Sequence, residues 1–431
     1  MSASDSIRLR PISHPVDRTV SLPGSKSLTN RALLAAALAG GESRIDGLLL
    51  AEDPGLMIAA LGALGVEVRV NEKHRSAVVR GCGGHWPSSE GDLFCGNAGT
   101  VMRFLTAACC VGHGDYRLDG VARMRTRPIG ELVDALCDLG ARVGYEEREG
   151  FCPLTVRARG LRGGTVRFNR PPSSQFVSAL LLAAPYAASD VMIDVAGELP
   201  SAPYAAMTLR VMDAFGVSAV EDGLRRFIVP GAQTYSATRY AVEPDASAAS
   251  YFFAAAAITG GRITVQGLGS ESCQGDAGFV GLLARMGCAV EQAEDSTTVR
   301  GPAGGVLRGL DVDLNAMPDV APTLAVLAAF AEGPTRIRNV ANLRVKESDR
   351  LAALATELGR MGVETAVFDD GIEVRPGGPP RPAEIETYND HRIAMSFAVA
   401  GLRVEGMAIR NPACVGKTFP EFFKQWAELG E

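Results

Sequence analysis

The strongest constraint on this chain is an internal repeat. Small, apolar helical runs, each followed by a glycine-rich break and a β-branched strand, begin near Ser27, Gly99, Ser173, Asp245, Asp319 and Asp390, at intervals of about 72 residues. A second helix in each unit ends in a leucine-rich turn and a glycine, as in ALGALGVEV, ALCDLGARV, VMDAFGVSA, LLARMGCAV and TELGRMGVE. The closing glycines are Gly65, Gly140, Gly216, Gly287 and Gly362. Glycine there can take the left-handed conformation that ends a helix, and the V-x-V pattern that follows reads as a strand. Gly430, after QWAEL, is expected to close the sixth copy.

This period is too long for the common solenoids but suits a compact unit of two helices and about four strands. Six units suggest two domains of three, and 431 residues with 47% hydrophobic content can bury more than one core. The first helices, such as LLAAALAG, FVSALLLAAPYAA and YFFAAAAITG, are apolar around their whole circumference. Such helices are expected to lie buried on nearly all sides, inside an α/β shell.

Composition narrows the function classes. A formal charge of −6 argues against a nucleic-acid partner, which usually requires a basic face. The longest apolar stretches, such as residues 176–188, fall short of a membrane span, and MSASDSIRLRPISHP lacks the apolar core of an export signal. The nine cysteines are odd in number and form no C-x-x-C pair, so neither a disulfide framework nor a zinc site is indicated, and a cytoplasmic location is expected.

Against that acidic background, the expected helix starts are rich in hydroxyls, glycines and cations. The first helices open with Gly24-Ser25-Lys26-Ser27 and Arg31, Gly99-Thr100 and Arg103, Ser173-Ser174-Gln175, Asp319, and Asp390-His391-Arg392. The second open with Arg127-Pro128, Ser201-Ala202-Pro203-Tyr204, Lys346 to Arg350, and Lys417. A helix start offers free amide donors and a partial positive charge, so it is a place for anions. Capping alone accounts for Ser27, Thr100, Ser201 and Asp245. It does not account for Lys26, Arg31, Arg103, Arg127, Arg350, Arg392 and Lys417, because a cation opposes the helix dipole unless an anion lies between them. GSKS lacks the remainder of a P-loop, and His391 has no neighbour at metal-ligand spacing. Arg125 and Arg127 in RMRTRP fit a solvated charge run equally well from local sequence, although Pro128 at a helix start favours an ordered role for Arg127.

Taken together, LPGSKSLTNRALLAAALA (22–39), GNAGTVMRFL (96–105), RMRTRPIGELVDAL (123–136), SSQFVSALLLAAP (173–185), MPD with VAPTLAVLA (320–328), NLRVKESDRL (342–351), TYNDHRIAMSFA (387–398) and KTFPEFF (417–423) closely resemble the 5-enolpyruvylshikimate-3-phosphate synthases, within the enolpyruvyl transferases. The resemblance implies an inside-out α/β barrel fold with three βαβαββ repeats in each of two domains, one spanning 24–243 and the other 1–23 plus 244–431. It further implies that Lys26, Ser27, Arg31, Ser173, Ser174, Gln175, Ser201, Tyr204, Asp319, Asn342 and Lys346 hold shikimate 3-phosphate. Lys26, Gly99, Arg127, Gln175, Arg350, Arg392 and Lys417 would hold phosphoenolpyruvate. Two phosphates and two carboxylates need several guanidinium and ammonium partners, which suits this set.

The implied reaction adds the 5-hydroxyl of shikimate 3-phosphate to C2 of phosphoenolpyruvate while C3 is protonated, then expels phosphate, with no metal or redox cofactor. Asp319 is expected to act as base toward the hydroxyl, with Lys26 and Glu347 sharing proton delivery and removal. The resemblance also implies a monomer inhibited by glyphosate, and with Gly99 retained the chain looks like the family's glyphosate-sensitive type. Val101 and Phe104 depart from the family pattern, and Ala202 replaces a lysine common in the family. Two rival readings are a UDP-N-acetylglucosamine enolpyruvyl transferase, whose loop cysteine is absent from RMRTRPIG, and a noncatalytic anion-binding protein on the same scaffold.

Overall fold

A computed structural model of the protein describes residues 6–303 and 306–430. The chain divides into two compact units, Gly24–Glu243 on one hand and Met1–Pro23 with Pro244–Glu431 on the other.

In the unit Gly24–Glu243, the second repeat shows the pattern in full. Strand Glu90–Phe94, helix Gly99–Cys109, strand His113–Asp119, helix Gly130–Asp138 and strands Val143–Tyr145 and Leu154–Arg159 follow one another as βαβαββ. The first two strands pair in parallel, as a helical crossover requires, and the last two add antiparallel partners. The third repeat builds the same sheet from Gly164–Asn169, Val191–Ala196, Arg226–Val229 and Val220–Asp222.

The first repeat departs from chain order. Its leading strand is Arg239–Ala241, from the far end of the unit, which pairs in parallel with Gly40–Asp46. The strand that precedes helix Lys26–Leu38 in sequence, Asp17–Val20, pairs instead with Arg262–Gln266 in the other unit. The two repeats that contain the chain crossings therefore exchange leading strands.

In the unit of Met1–Pro23 and Pro244–Glu431, four-stranded sheets form around Arg262–Gln266 and around Thr335–Arg338. The sixth sheet has three strands, with Ala408–Arg410 between Glu384–Ile385 and the N-terminal Ser6–Arg8. Because Ser6–Arg8 completes this sheet, no terminal strand pair is needed. Gly430 accordingly lies in the 3-10 turn Glu428–Gly430 rather than at a left-handed helix stop, which corrects the expectation for it. The five other closing glycines do take that conformation, with φ of +87° at Gly65, +98° at Gly140, +78° at Gly216, +110° at Gly287 and +77° at Gly362.

Three helices fill the core of each unit. In one they are Lys26–Leu38, Gly99–Cys109 and Ser174–Ala183, and in the other Ala246–Thr259, Ala321–Ala328 and His391–Ala400. Nearly every residue in them is buried. Burial on all sides is possible because alanine, serine and glycine let neighbours approach. Gly81 shows how close: a Cβ there would lie 2.2 Å from the Ala39 carbonyl oxygen and 2.4 Å from that of Ala36.

Polar groups inside these bundles find one another. Ser250, Thr323 and Ser396, one from each buried helix, form a hydroxyl chain with spacings of 3.1 and 3.3 Å, and Ser250 also donates to the Ser247 carbonyl at 2.7 Å. In the other unit Asn30 Nδ2 donates to Thr100 Oγ1 at 2.8 Å. Among the described residues no helix is long and apolar enough to cross a membrane. Replacing Thr323, the middle of the chain and fully buried, by the isosteric valine breaks two contacts without leaving a hole. Thr323→Val should cost about 1–3 kcal/mol, read as a lower urea midpoint with an unchanged slope.

Candidate functional site

The predicted residues fall into two groups, one in each unit. In Gly24–Glu243, Ser25 caps helix Lys26–Leu38 by accepting from the Leu28 amide, so Ser27 is not the cap. Lys26 is the first helical residue, and its Nζ lies 3.3 Å from Asp53 Oδ2, whose side chain is 1% exposed. Asp53 sits in the first turn of helix Glu52–Ala63, a favourable place for an acid.

Arg31 is enclosed completely. Its Nε donates to Thr208 Oγ1 at 2.8 Å, Nη1 to the Ser27 carbonyl at 3.0 Å, and Nη2 to Ser178 Oγ and the Tyr204 carbonyl at 3.2 and 3.0 Å. The Phe104 ring lies beneath it at 5.0 Å, giving Phe104 a place in the packing of this cation. Tyr204 thus enters through its backbone, in helix Pro203–Ala214. Ser201, with φ +58°, precedes the N-cap Ala202 and is not itself the cap.

A second cluster surrounds Gly99. Helix Gly99–Cys109 starts after Ala98 with no side-chain cap; Thr100 does not serve as one. Arg103 donates from Nη1 to Gln175 Oε1 at 2.7 Å and from Nη2 to the Pro128 carbonyl at 2.9 Å. Arg127 donates from Nη1 to the Asn97 carbonyl and side-chain oxygen at 2.9 and 3.2 Å. Arg127 is 4% exposed, and among the described residues it makes no ion pair and its Nε has no hydrogen-bond partner. A Cβ at Gly99 would come within 2.5 Å of Arg103 Nη1 and 2.7 Å of Arg127 Nη2, so any larger residue there would have to move both guanidiniums. Ser173 caps helix Ser174–Ala183 by accepting from the Gln175 amide, and Ser174 is buried.

The expected helix at Arg127-Pro128 begins two residues later, at Gly130, and Arg127 lies in extended backbone after the 3-10 turn Met124–Thr126. Arg125 binds Asp119 at 2.6 Å and Glu147 at 2.8 Å on the surface, so the two arginines of RMRTRP have separate fates.

The other unit gathers acids and cations around Asp319. This residue lies in the 3-10 turn Pro318–Val320 that leads into helix Ala321–Ala328, and it caps nothing. Its carboxylate receives Arg392 Nη2 at 2.7 Å and Arg350 Nη1 at 3.1 Å, with Lys346 Nζ at 3.5 Å. Arg350 also donates to Glu347 at 2.9 Å and to both oxygens of Asp390 at 2.8 and 3.2 Å. Burial opposes the Arg350 charge, yet Asp390, Glu347 and Asp319 together hold its pKa above the ordinary arginine value. Asp390 caps helix His391–Ala400, accepts from Ser348 at 2.9 Å and is fully buried. Asn342 lies nearby in sequence, in the 3-10 turn Ala341–Val345. Lys417, expected at a helix start, is instead the buried last residue of the 3-10 turn Pro412–Lys417.

Sequence reasoning missed Asp53, the partner of Lys26, and left Arg103 as an unexplained cation without a role. The capping signature of Asp390 was visible, but not its grip on Arg350. Among the described residues no group of three or more histidine, cysteine, aspartate or glutamate side chains is arranged to hold a metal ion.

Comparison with known proteins places this arrangement. The structure is similar over 98% of the chain to the EPSP synthase of Acinetobacter baumannii, with a TM-score of 0.82, 28% identity and 97% of that chain covered. It also shares its fold with the enolpyruvyl transferase NikO of Streptomyces tendae, with a TM-score of 0.78, 20% identity and 96% of that chain covered. The fold is therefore that of the enolpyruvyl transferases. A model of the family EPSP synthase (3-phosphoshikimate 1-carboxyvinyltransferase) matches residues 11–426. Proteins called 3-phosphoshikimate 1-carboxyvinyltransferase in Nostoc punctiforme and Aeromonas salmonicida are 46% and 48% identical, over 99% of this chain and 100% and 99% of theirs. The chain belongs to the EPSP synthase family, and is a transferase of the shikimate pathway.

The buried Arg350–Asp390 pair gives a stability prediction. Asp390→Ala removes a helix cap and leaves a buried guanidinium short of one carboxylate, so unfolding free energy should fall by about 3–5 kcal/mol, the scale for breaking a buried pair from one side. Chemical denaturation followed by circular dichroism measures it.

Proposed function

We propose that the two groups serve one reaction, transfer of the enolpyruvyl group of phosphoenolpyruvate to the 5-hydroxyl of shikimate 3-phosphate. Family membership supports the reaction. The structural observation that carries the assignment of residues is Arg127, a buried guanidinium that among the described residues bonds only neutral oxygens, beside a helix start with no side-chain cap. A buried cation without an acid is costly, and a phosphate or carboxylate oxygen is the partner that offsets the cost.

In this reading the phosphoenolpyruvate set is Lys26, Gly99, Arg127, Gln175, Arg350, Arg392 and Lys417, joined by Arg103 through its bond to Gln175. The shikimate 3-phosphate set is Lys26, Ser27, Arg31, Ser173, Ser174, Gln175, Ser201, Tyr204, Asp319, Asn342 and Lys346. Arg31 differs from the others in having its guanidinium spread over Ser27, Ser178, Tyr204 and Thr208.

Chemistry starts from paired charges. Asp319 takes the proton of the attacking hydroxyl, and as anions engage Arg392 and Lys346 those cations loosen their hold on its carboxylate, which makes it a better base. Glu347, anchored by Arg350, and Lys26, anchored by Asp53, hold the groups that deliver and remove the proton at C3. Each compact unit acts as one domain of three repeats, the working protein is a monomer of the cytoplasm, and glyphosate inhibits it. All nine cysteines are free thiols, which suits a reducing compartment.

The test is phosphate release that depends on both substrates. Asp319→Asn keeps the size of the side chain and loses the proton acceptor, so turnover should fall roughly a hundredfold or more, while shikimate 3-phosphate still binds. Near-normal turnover would remove Asp319 from the chemistry, and phosphate release without shikimate 3-phosphate would overturn the acceptor.

A further inference from the structure

Beneath Arg392 lies a fourth carboxyl group that the proposed chemistry leaves unused. Arg392 Nη2 donates to Ser247 Oγ at 3.2 Å as well as to Asp319, and Nη1 donates to the Tyr251 hydroxyl at 3.3 Å. Ser247 in turn donates its hydroxyl proton to Asp276 Oδ2. A serine has one proton to give, so a proton committed to Asp276 turns the oxygen lone pairs toward Arg392. The direction of the chain is therefore fixed: guanidinium to hydroxyl to carboxylate.

The turn that carries Asp276 is itself pinned. Asp276 belongs to the 3-10 turn Gly275–Gly278, and Gln274, just before it, accepts from the Ala246 amide at 3.1 Å and donates to the Pro244 carbonyl at 2.7 Å. Both contacts fall at the start of helix Ala246–Thr259, one and three residues before Ser247. Asp276 is 3% exposed. The charged groups that act on it are Asp319, Arg392 and Asp245, while Tyr251, whose pKa burial raises to about 12, stays neutral.

We propose that Asp276 is a positioning residue for phosphoenolpyruvate, holding Arg392 in its binding orientation through the Ser247 hydroxyl by means of its negative charge. The inference rests on the reading of Arg392 as a phosphoenolpyruvate arginine. It adds a pH response. Burial, with a further contribution from the Asp319 charge, raises the Asp276 pKa to about 6, against the pull of Arg392 and Ser247. Above that value the carboxylate is charged and orients Ser247; as pH falls through it, the charge is lost and the hold on Arg392 weakens.

The experiment compares KM for phosphoenolpyruvate and kcat from pH 5 to 8 in the wild type, Asp276→Asn, Ser247→Ala and Arg392→Ala. At pH 7.5, Asp276→Asn and Ser247→Ala should each raise KM about tenfold, the scale of one charge-assisted hydrogen bond, with kcat changed far less. The ratio of the Asp276→Asn to the wild-type KM should shrink toward one below pH 6, where the wild type has itself lost the charge. The ligand phosphate also titrates near 6, but it is common to both proteins and cancels in that ratio. An unchanged KM in a folded Asp276→Asn, or a ratio independent of pH, would overturn the proposal, and Ser247→Ala decides the matter if Asp276→Asn does not fold. If Arg392→Ala leaves KM unchanged, the reading of Arg392 fails; if it raises KM while Asp276→Asn and Ser247→Ala do not, only the positioning role fails.

Discussion

Burial of nearly every residue of three helices in each unit is the constraint on which the rest depends. A helix surrounded by protein has no water for its terminal amides, so each start must find a side chain, a backbone partner or a ligand. Ser25, Ser173, Asp245 and Asp390 meet that need with capping oxygens. Gly99–Cys109 starts without one, and that is where Arg103 and Arg127 gather. The same burial that forces alanine-rich cores also creates a dry, positive place at a helix start.

The two units treat buried charge differently. Around Arg350 the protein supplies its own anions, from Asp319, Glu347 and Asp390, so that guanidinium mainly fixes the acids in space. Among the described residues Arg127 has neutral partners only, and its charge is the more available to an outside anion. Arg392 stands between these cases, bound to Asp319 and to hydroxyls of Ser247 and Tyr251. On the proposed reading, a substrate anion that reaches Arg392 competes with Asp319, which couples anion binding to the availability of the base.

Much of this was legible in the sequence because local rules governed it. The closing glycines were readable since a left-handed stop leaves a mark at one position, and the six buried helices since their apolar residues leave no polar face. Gly430 failed because Ser6–Arg8, over 400 residues away in sequence, completes the last sheet. The exchange of leading strands between the first repeats of each unit also had no local sign, because Asp17–Val20 and Arg239–Ala241 are short and mostly exposed. Cap positions shifted by one or two residues at Ser27, Ser201 and Pro128, and only at Ser27 does a second capping serine, Ser25, stand close by. The partner acids Asp53 and Asp276 were invisible for a related reason: each is an ordinary carboxylate whose importance comes from a cation brought near by folding.

The central claim is that a buried cation left without a protein acid is reserved for the anionic substrate. Calorimetric titration of phosphoenolpyruvate, with shikimate 3-phosphate present, into the wild type and Arg127→Ala tests it most directly. The account predicts that affinity falls by about 1.5–3 kcal/mol, the contribution of a hydrogen bond to a charged group, in a variant that melts no lower than the wild type without ligand. Equal affinities in the two folded proteins would contradict it.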